Sequence, residues 1–378
     1  LAAIVALGMV ACNNEEVPQV IDGAQSTVSI KLMPTSTGSG VRATGNLSGD
    51  GVLAPGLVAE SAIKQLEVFI FSGELPDGYK SEAGASVTEV KQIETHSGPK
   101  TIFVVANANI GAVASKSALI AKTKDLPVNM TTGLVMTSAE TAVTLVAGQN
   151  YYGYATGTGT NGAGEEHSVG APLKITRVNA RVAIVDAKLD TTLPADQLAI
   201  FDALTDAQVA IFNVPKTTKL FGTPLAMNAN YLFGEAWPTS ANSYTVGTVE
   251  TSFKDATVAF PIVNTAAPYY YVNENTSTTA KEQMLIVLRA KPTKGGVAVI
   301  SQGLYTDAAG YTYYPVKVNF DGTGIDNTGV ITRNTQYNIT LLIKGIGNPT
   351  IDEVEEAFLD VIVEVEPWKV VNQDVTWN

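Results

Sequence analysis

The chain has 378 residues, of which 45% are hydrophobic and 16% are charged, and its formal net charge is −12. That length is typical of two compact domains, and the composition excludes a disordered chain. A surplus of carboxylates repels phosphate backbones, which excludes nucleic acid as the main partner. One cysteine and two histidines exclude an internal disulfide and a zinc site of the Cys/His type.

The N-terminal run resembles an export signal. Residues 1–11 are all apolar or glycine, and Cys12 follows them directly. Such a run is typical of the apolar core of a signal peptide and is too short to span a bilayer. The letters MVAC resemble the lipobox of bacterial lipoproteins, so we expect a lipid anchor on Cys12. The alternative is a buried N-terminal helix that contains an ordinary cysteine.

A first strand and a loop follow a short polar tether. Val28, Ile30 and Leu32 alternate with polar residues, which predicts a strand over 26–34 that ends at a proline. The stretch TSTGSGVRATGNLSGDG after it is rich in glycine and has no apolar periodicity. We therefore expect an exposed loop with Arg42 as its lone basic residue.

The rest of the chain predicts two β-rich halves. One short helix is predicted within 111–126, and the glycine-rich stretch 157–172 is the predicted link between the halves. The fold class is therefore mainly β, with two β-sandwich domains in tandem and one or two short helices. The strands with the clearest apolar patterns are predicted over 62–73, 100–109, 140–157 (split at Gly148) and 173–189.

No stretch carries a catalytic pattern. Gly157, Gly159 and Gly162 match a dinucleotide-binding spacing, but no helix follows them, which favours a loop. His167 lies in the same loop, where an exposed histidine is far commoner than a general base. The acidic cluster 352–358 lacks the ligand spacing and turn glycine of a calcium loop, which favours a solvated turn. We predict no enzyme activity, no metal and no cofactor.

The C-terminal residues form two alternating segments on either side of Pro367. The second segment places Val371, Val375 and Trp377 at one parity. A C-terminal strand of this kind is ordinarily an edge of its own sheet, and it can equally complete a sheet in another molecule. The pattern does not decide which of the two segments would move.

Several motifs taken together resemble a known family. They are spread over nearly the whole chain, and they read TIFVVANA, GLVMTSAET, LVAGQNYYGYATGTG, PLKITRVNARVAI, LFGTPLAMNANYL, TYYPVKVNF, RNTQYNITLLIKGIG and EPWKVVNQDVTWN. They are similar to the major fimbrillins, of the FimA type, from the type V pili of Bacteroidales.

The resemblance implies a fold and a maturation route. Such fimbrillins have two transthyretin-like β-sandwich domains and are exported as outer-membrane lipoproteins. An arginine-specific surface protease removes the lipidated segment together with the first strand, and a C-terminal strand of the next subunit fills the groove that opens. Carried over to this sequence, the lipid lies on Cys12 and cleavage falls between Arg42 and Ala43.

The resemblance also implies which strands exchange and where the domains lie. The departing strand carries Val28, Ile30 and Leu32, and the donor strand lies within 369–378, which includes Val371, Val375 and Trp377. The implied divisions are a partial signal peptide, a propeptide and two domains, over 1–11, 12–42, 43–172 and 173–378. The implied partners are further copies of the chain in a surface homopolymer, the protease, accessory fimbrial subunits, and host surface proteins or glycans.

Two other functions stay open. A glycan-binding surface lipoprotein would need an exposed aromatic platform, for which Tyr269–Tyr271 and the tyrosines at 311, 313 and 314 are the candidates. A surface hydrolase would need a catalytic constellation, and none is evident. Within a pilus, the arginine in the loop and the strand-like C-terminus favour a stalk subunit over an anchor or tip subunit.

Overall fold

The structure is a computed structural model that describes eleven stretches of the chain. They are residues 22–32, 62–126, 133–154, 173–225, 231–235, 244–245, 253, 257–279, 282–320, 328–351 and 359–367.

Ten strands and one helix form the first half of the described chain. The helix, α1, spans Lys116–Ile120, and Ser115 caps it by accepting a hydrogen bond from the Ala118 amide. The strands are β1 Gln25–Lys31, β2 Gln65–Ser72, β3 Leu75–Ala83, β4 Glu89–His96, β5 Gly98–Ala106, β6 Thr123–Asp125, β7 Met136–Ser138, β8 Thr141–Leu145, β9 Gly148–Tyr152 and β10 Ile175–Arg177.

Eleven strands and one helix form the second half. The helix, α2, spans Ala195–Ile200 and buries Gln197. The strands are β11 Asn179–Leu189, β12 Ala203–Pro215, β13 Thr217–Lys219, β14 Tyr231–Glu235, β15 Tyr244–Thr245, β16 Tyr269–Asn273, β17 Leu285–Lys294, β18 Val297–Ala298, β19 Thr312–Lys317, β20 Thr335–Ile343 and β21 Leu359–Pro367.

Each half contains one small and one large sheet. In the first half, the small sheet has the order β4-β1-β9, and the large sheet has the order β10-β7-β5-β2-β3, with β8 paired to β5. In the second half, the small sheet has the order β16-β11-β20-β21, and the large sheet has the order β15-β14-β12-β17-β18, with β19 paired to β17. Because side chains alternate between the two faces of a strand, the apolar ones point to one face and form a core within each half.

The two halves are joined by a short shared sheet and an aromatic cluster. Strand β6 of the first half pairs antiparallel with β13 of the second. Beside this pair, the rings of Phe103 and Phe221 lie 5.0 Å apart and pack edge to face. Thr137 of β7, in the first half, donates from Oγ1 to the carbonyl of Leu220, in the second half, at 3.2 Å. These contacts fix the junction between the halves.

The structure confirms the mainly β fold and most of the predicted elements. The predicted strand over 26–34 is present as β1, which ends at Lys31, and the predicted division at Gly148 is confirmed by β9, which begins at that residue. The helix predicted within 111–126 is present as the shorter α1. Strand β10 pairs with β7 of the first half, and β11 begins the second half. The predicted link over 157–172 lies outside the described residues.

Candidate functional site

The candidate site is the groove that β1 fills, which we call the β1 groove and define as the surface between β4 and β9 that β1 covers. Strand β1 is the central strand of its sheet, antiparallel to β4 and parallel to β9. Val28 lies opposite Ile93 in β4 and opposite Asn150 in β9. Backbone groups on both sides of the groove therefore bond to β1, and its departure would leave two strand edges unpaired.

The inward face of β1 is apolar over most of its length. Val28 and Ile30 are completely buried, and Leu32 is 2% exposed. Burial of side chains of this size contributes about 1.5–3 kcal/mol each before entropic costs. The groove would therefore expose a large apolar surface if nothing replaced β1. The buried side chains of the first-half core that surround these three residues include Leu66, Val68, Ile70, Val90, Ile93, Ile102, Val104 and Leu173.

Few contacts between β1 and the groove depend on particular side chains of β1. Ser29 Oγ accepts a hydrogen bond from the Gln92 amide of β4 at 3.1 Å. Asn150 Nδ2 donates to the backbone carbonyl of Thr27 at 3.2 Å, a contact that any residue at that position could accept. Ser26 is 5% exposed, and its hydroxyl has no hydrogen-bond partner among the described residues. The groove thus selects for an extended, largely apolar strand.

A buried charged cluster lies at the end of the groove where β1 begins. Gln25 and Ser26 pair with His96 and Thr95 of β4. Asp77 accepts hydrogen bonds from Thr95 Oγ1 at 2.7 Å and from Lys100 Nζ at 2.8 Å.

The ionisation of Asp77 follows from these contacts. The side chain is completely buried, and His96 Nδ1 lies 2.6 Å from its Oδ1. Burial works to raise the pKa of Asp77, but hydrogen bonds from Lys100, Thr95 and His96 outweigh burial and hold that pKa below its ordinary value. Asp77 is therefore a carboxylate that ties β3, β4 and β5 together next to the groove.

At the other end of the chain, β21 is an edge strand. It pairs antiparallel with β20 over the whole of Leu359–Pro367. The first of the two C-terminal segments is thus held in its own sheet in this structure. The second segment, with Val371, Val375 and Trp377, lies outside the described residues.

Several other predicted residues also lie outside the described part of the chain. They are Cys12, Arg42, Ala43, the glycines at 157, 159 and 162, His167 and the acidic cluster 352–358. Of the predicted site residues, the structure therefore places Val28, Ile30 and Leu32, and it brings them together on one buried face.

The tyrosines that could have formed an exposed aromatic platform are mostly buried. Tyr270 and Tyr271 are 1% and 2% exposed, and the tyrosines at 311, 313 and 314 are all under 9% exposed. Tyr270 donates its hydroxyl to the Val209 carbonyl at 2.9 Å inside the core. Consecutive aromatic residues alternate between the faces of a strand, and both faces are covered here. The burial of these tyrosines, with only Tyr269 of the candidates partly exposed, counts against the alternative of a glycan-binding platform.

Sequence reasoning missed the two residues of the groove wall that contact β1 through polar atoms. Gln92 has a φ of +53° and sits in a bulge of β4, a strand whose charged sequence gives no apolar alternation. Asn150 is 1% exposed, and its amide bonds to Val146 as well as to Thr27. A buried asparagine just after a turn glycine was the available signal for the second residue.

No helix among the described residues has the length and apolar character needed to cross a membrane.

Two family descriptions match the chain, one in each half. Residues 26–177 match the major fimbrial subunit protein (FimA), and residues 179–368 match the FimA4 pilin C-terminal domain. The first match ends at the last residue of β10, and the second begins at the first residue of β11.

Similar proteins and solved structures cover nearly the whole chain. The major fimbrium subunits FimA type-4 and type-2 of Porphyromonas gingivalis are 29% and 31% identical to it, over 100% of this chain and 98% of each relative. A fimbrilin crystal structure from P. gingivalis W83 is 28% identical, with a TM-score of 0.70, over 92% of this chain and 99% of that one. A putative cell adhesion protein from Parabacteroides distasonis, 19% identical with a TM-score of 0.61 over 91% of this chain and 99% of that one, shares the fold.

Proposed function

The chain belongs to the major fimbrial subunit (FimA) family and is a structural subunit of a fimbrium, and from this premise we propose that it polymerises by strand exchange after proteolysis. In this proposal a protease cuts between Arg42 and Ala43, the segment that contains β1 leaves, and a C-terminal strand of another copy enters the β1 groove. The relatives of similar length are major subunits, which supports a stalk position.

The observation that carries the proposal is the position of β1. It is a central strand of a sheet, yet it is the first described strand, and the glycine-rich stretch that contains Arg42 separates it in sequence from β2. A single cut in that stretch would turn β1 into a separate peptide held by noncovalent contacts. The step is one-way because hydrolysis of the peptide bond is effectively irreversible, and the freed β1 peptide then dilutes away from the groove.

The uncleaved chain is expected to stay monomeric. While β1 is tethered, its effective concentration at the groove far exceeds that of a donor strand from another molecule. Cleavage removes this advantage. A donor strand that remains covalently part of a folded subunit then competes with a short free peptide.

The remaining parts of the proposal concern the anchor and the surface role. We propose that Cys12 carries the lipid that holds the precursor at the outer membrane until cleavage. The partners are then copies of the same chain, the arginine-specific protease and accessory subunits, and the filament supports adhesion to host surface proteins or glycans. Incorporation of labelled fatty acid into the precursor, and its loss in Cys12→Ser, tests the anchor.

The test of the main proposal uses the cleavage residue. Purified precursor is treated with an arginine-specific protease, and assembly is followed as a ladder that survives SDS without heating. Arg42→Ala should give no ladder. Arg42→Lys should resist the arginine-specific protease but assemble after cleavage by a lysine-specific one. A ladder from uncut Arg42→Ala would overturn the proposal.

A further inference from the structure

We infer that a bulge in β4 sets the register and direction of the incoming strand, so that Thr376 of the donor takes the position of Ser29. This inference rests on the proposed strand exchange and adds to it the residues that align the two molecules. The observation that supports it is the hydrogen bond from the Gln92 backbone amide to the Ser29 hydroxyl.

The bulge interrupts the pairing of β1 with β4 at one point. Val28 lies opposite Ile93, but Ile30 lies opposite Val90, so β4 has one additional residue between these pairs. Gln92 in the bulge has a φ of +53°, and its amide points to Ser29 Oγ at 3.1 Å. A bulge removes a backbone amide from the regular ladder, and here a side chain of β1 accepts from that amide.

The β1 groove therefore favours a pattern of three residues, in which two inward apolar side chains flank a side chain with a hydrogen-bond acceptor. Val28 and Ile30 point inward and are completely buried, whereas Ser29 between them points to the bulge and supplies an acceptor. A strand that slips by one residue would turn apolar side chains out and polar ones in. A strand that slips by two residues keeps its parity but must still offer an acceptor at the bulge.

The C-terminal segment WKVVNQDVTWN contains one triplet of this kind. Val375, Thr376 and Trp377 give an apolar residue, a hydroxyl acceptor and an apolar residue in succession. The triplet centred on Asn372 would put Gln373 at the apolar position of Ile30, and the triplet centred on Lys369 offers no acceptor.

The direction of the donor follows from the next inward position. If the donor runs in the direction of β1, Gln373 takes the position of Ser26, which lies opposite Thr95 at the polar end of the groove, beside the Asp77 cluster. If it runs in the opposite direction, Gln373 takes the position of Leu32, which is 2% exposed and apolar. An amide without partners in an apolar site is costly. The donor is therefore expected to be antiparallel to β4 and parallel to β9, like β1.

Disulfide trapping tests register and direction together, because directly opposed residues on neighbouring strands lie within disulfide range. The background is Cys12→Ser, so that each chain carries only the two introduced cysteines. Val375→Cys with Ile93→Cys should join successive subunits covalently once Arg42 has been cut, giving a ladder that survives heating without reductant. The controls combine Ile93→Cys with Gln373→Cys or Trp377→Cys and should give no such ladder.

The outcomes separate the register from the exchange itself. A covalent ladder from the Trp377 pair would mean a reversed or shifted donor, and one from the Gln373 pair would mean a shift in the other sense. Either result overturns the inference and leaves strand exchange in place. If the parent chain assembles only while β1 is retained, strand exchange itself is wrong.

A second pair of variants keeps the test decisive if the cysteine variants do not assemble. Thr376→Ser keeps the acceptor, whereas Thr376→Val keeps the shape and removes it. Filaments of Thr376→Val should dissociate on heating several-fold faster than those of Thr376→Ser, because the Gln92 amide loses its partner. Equal dissociation rates of the two filaments would overturn the role assigned to Thr376.

Discussion

The two small sheets of the molecule are built alike around a central strand, β1 in the first half and β11 in the second. Each of these strands is antiparallel to one neighbour and parallel to the other. They differ in how they are held. Asn179 and Arg181 of β11 bond to Asn273 Oδ1 and Gln336 Oε1 at 2.8 and 2.6 Å, with all four residues buried.

Strand β1 lacks such matched pairs among the described residues. The Ser29 hydroxyl accepts a hydrogen bond from a backbone amide, and the Thr27 carbonyl accepts one from the Asn150 side-chain amide. The buried Ser26 hydroxyl has no hydrogen-bond partner among the described residues. Buried side-chain pairs make a strand specific, because a replacement must offer the same groups. In the proposed strand exchange, β11 stays in place, and the smaller number of side-chain contacts of β1 fits its role as the strand that is replaced.

The largest expected effect comes from a core truncation in the permanent strand. Ile184→Ala in β11 removes completely buried methyl groups and should lower the free energy of unfolding by about 2–5 kcal/mol. The loss should be the same in the precursor and in subunits taken from filaments, because β11 stays in both. Denaturant unfolding monitored on both forms checks this.

The matched truncation in β1 should behave differently. Ile30→Ala should lower the stability of the precursor by about 2–5 kcal/mol, since Ile30 is completely buried. It should leave the stability of assembled filaments unchanged, because β1 has gone. Filaments that melt earlier in this variant than in the parent would show that β1 remains in place.

Whether the sequence predicts a given strand or helix depends on how regularly its apolar residues are spaced. The alternation of Val28, Ile30 and Leu32 is enough to predict β1 and its buried face. Strands β3 and β4 were not predicted, because their half-exposed, charged sequences lack that alternation. Helix α2 was not predicted either, because the residue that it buries is Gln197, whose side chain accepts from the Ile346 amide at 3.1 Å.

At the candidate site, the sequence predicts strand β1 but not the wall of the groove that it fills. Gln92 is an ordinary exposed residue in the sequence, and its bulge depends on pairing between β1 and β4, which are distant along the chain. Long-range register of this kind follows from tertiary contacts, so a local pattern does not contain it.

A smaller difference in the free energy of unfolding is expected between substitutions of one buried and one exposed aspartate. Asp77 beside the β1 groove is completely buried, whereas the Asp206 side chain, paired with Lys291, is 37% exposed. Asp77→Asn should cost about 3 kcal/mol because Lys100 is left buried without its counter-charge. Asp206→Asn should cost less than about 1 kcal/mol, since solvent screens an exposed pair. Similar losses from both variants would contradict the assigned burial.

The smallest expected effect is a change in how the stability of the precursor depends on pH. The pKa of Asp77 is below its ordinary value in the folded protein, so its contribution to stability is complete above the unfolded-state pKa, about 4. That contribution is lost as the pH falls through the lower, folded-state pKa. The precursor should therefore lose stability below about pH 4, and Asp77→Asn should flatten that part of the profile. A variant profile as steep as the parent's would assign the loss to other groups.

The most direct test of the central claim, that β1 is replaced, is mass spectrometry of the N-terminus of subunits sheared from the cell surface. Subunits within filaments should begin at Ala43 and lack the segment with Val28, Ile30 and Leu32. Filament subunits that begin at Cys12, or that retain the 13–42 segment after denaturation, would contradict it.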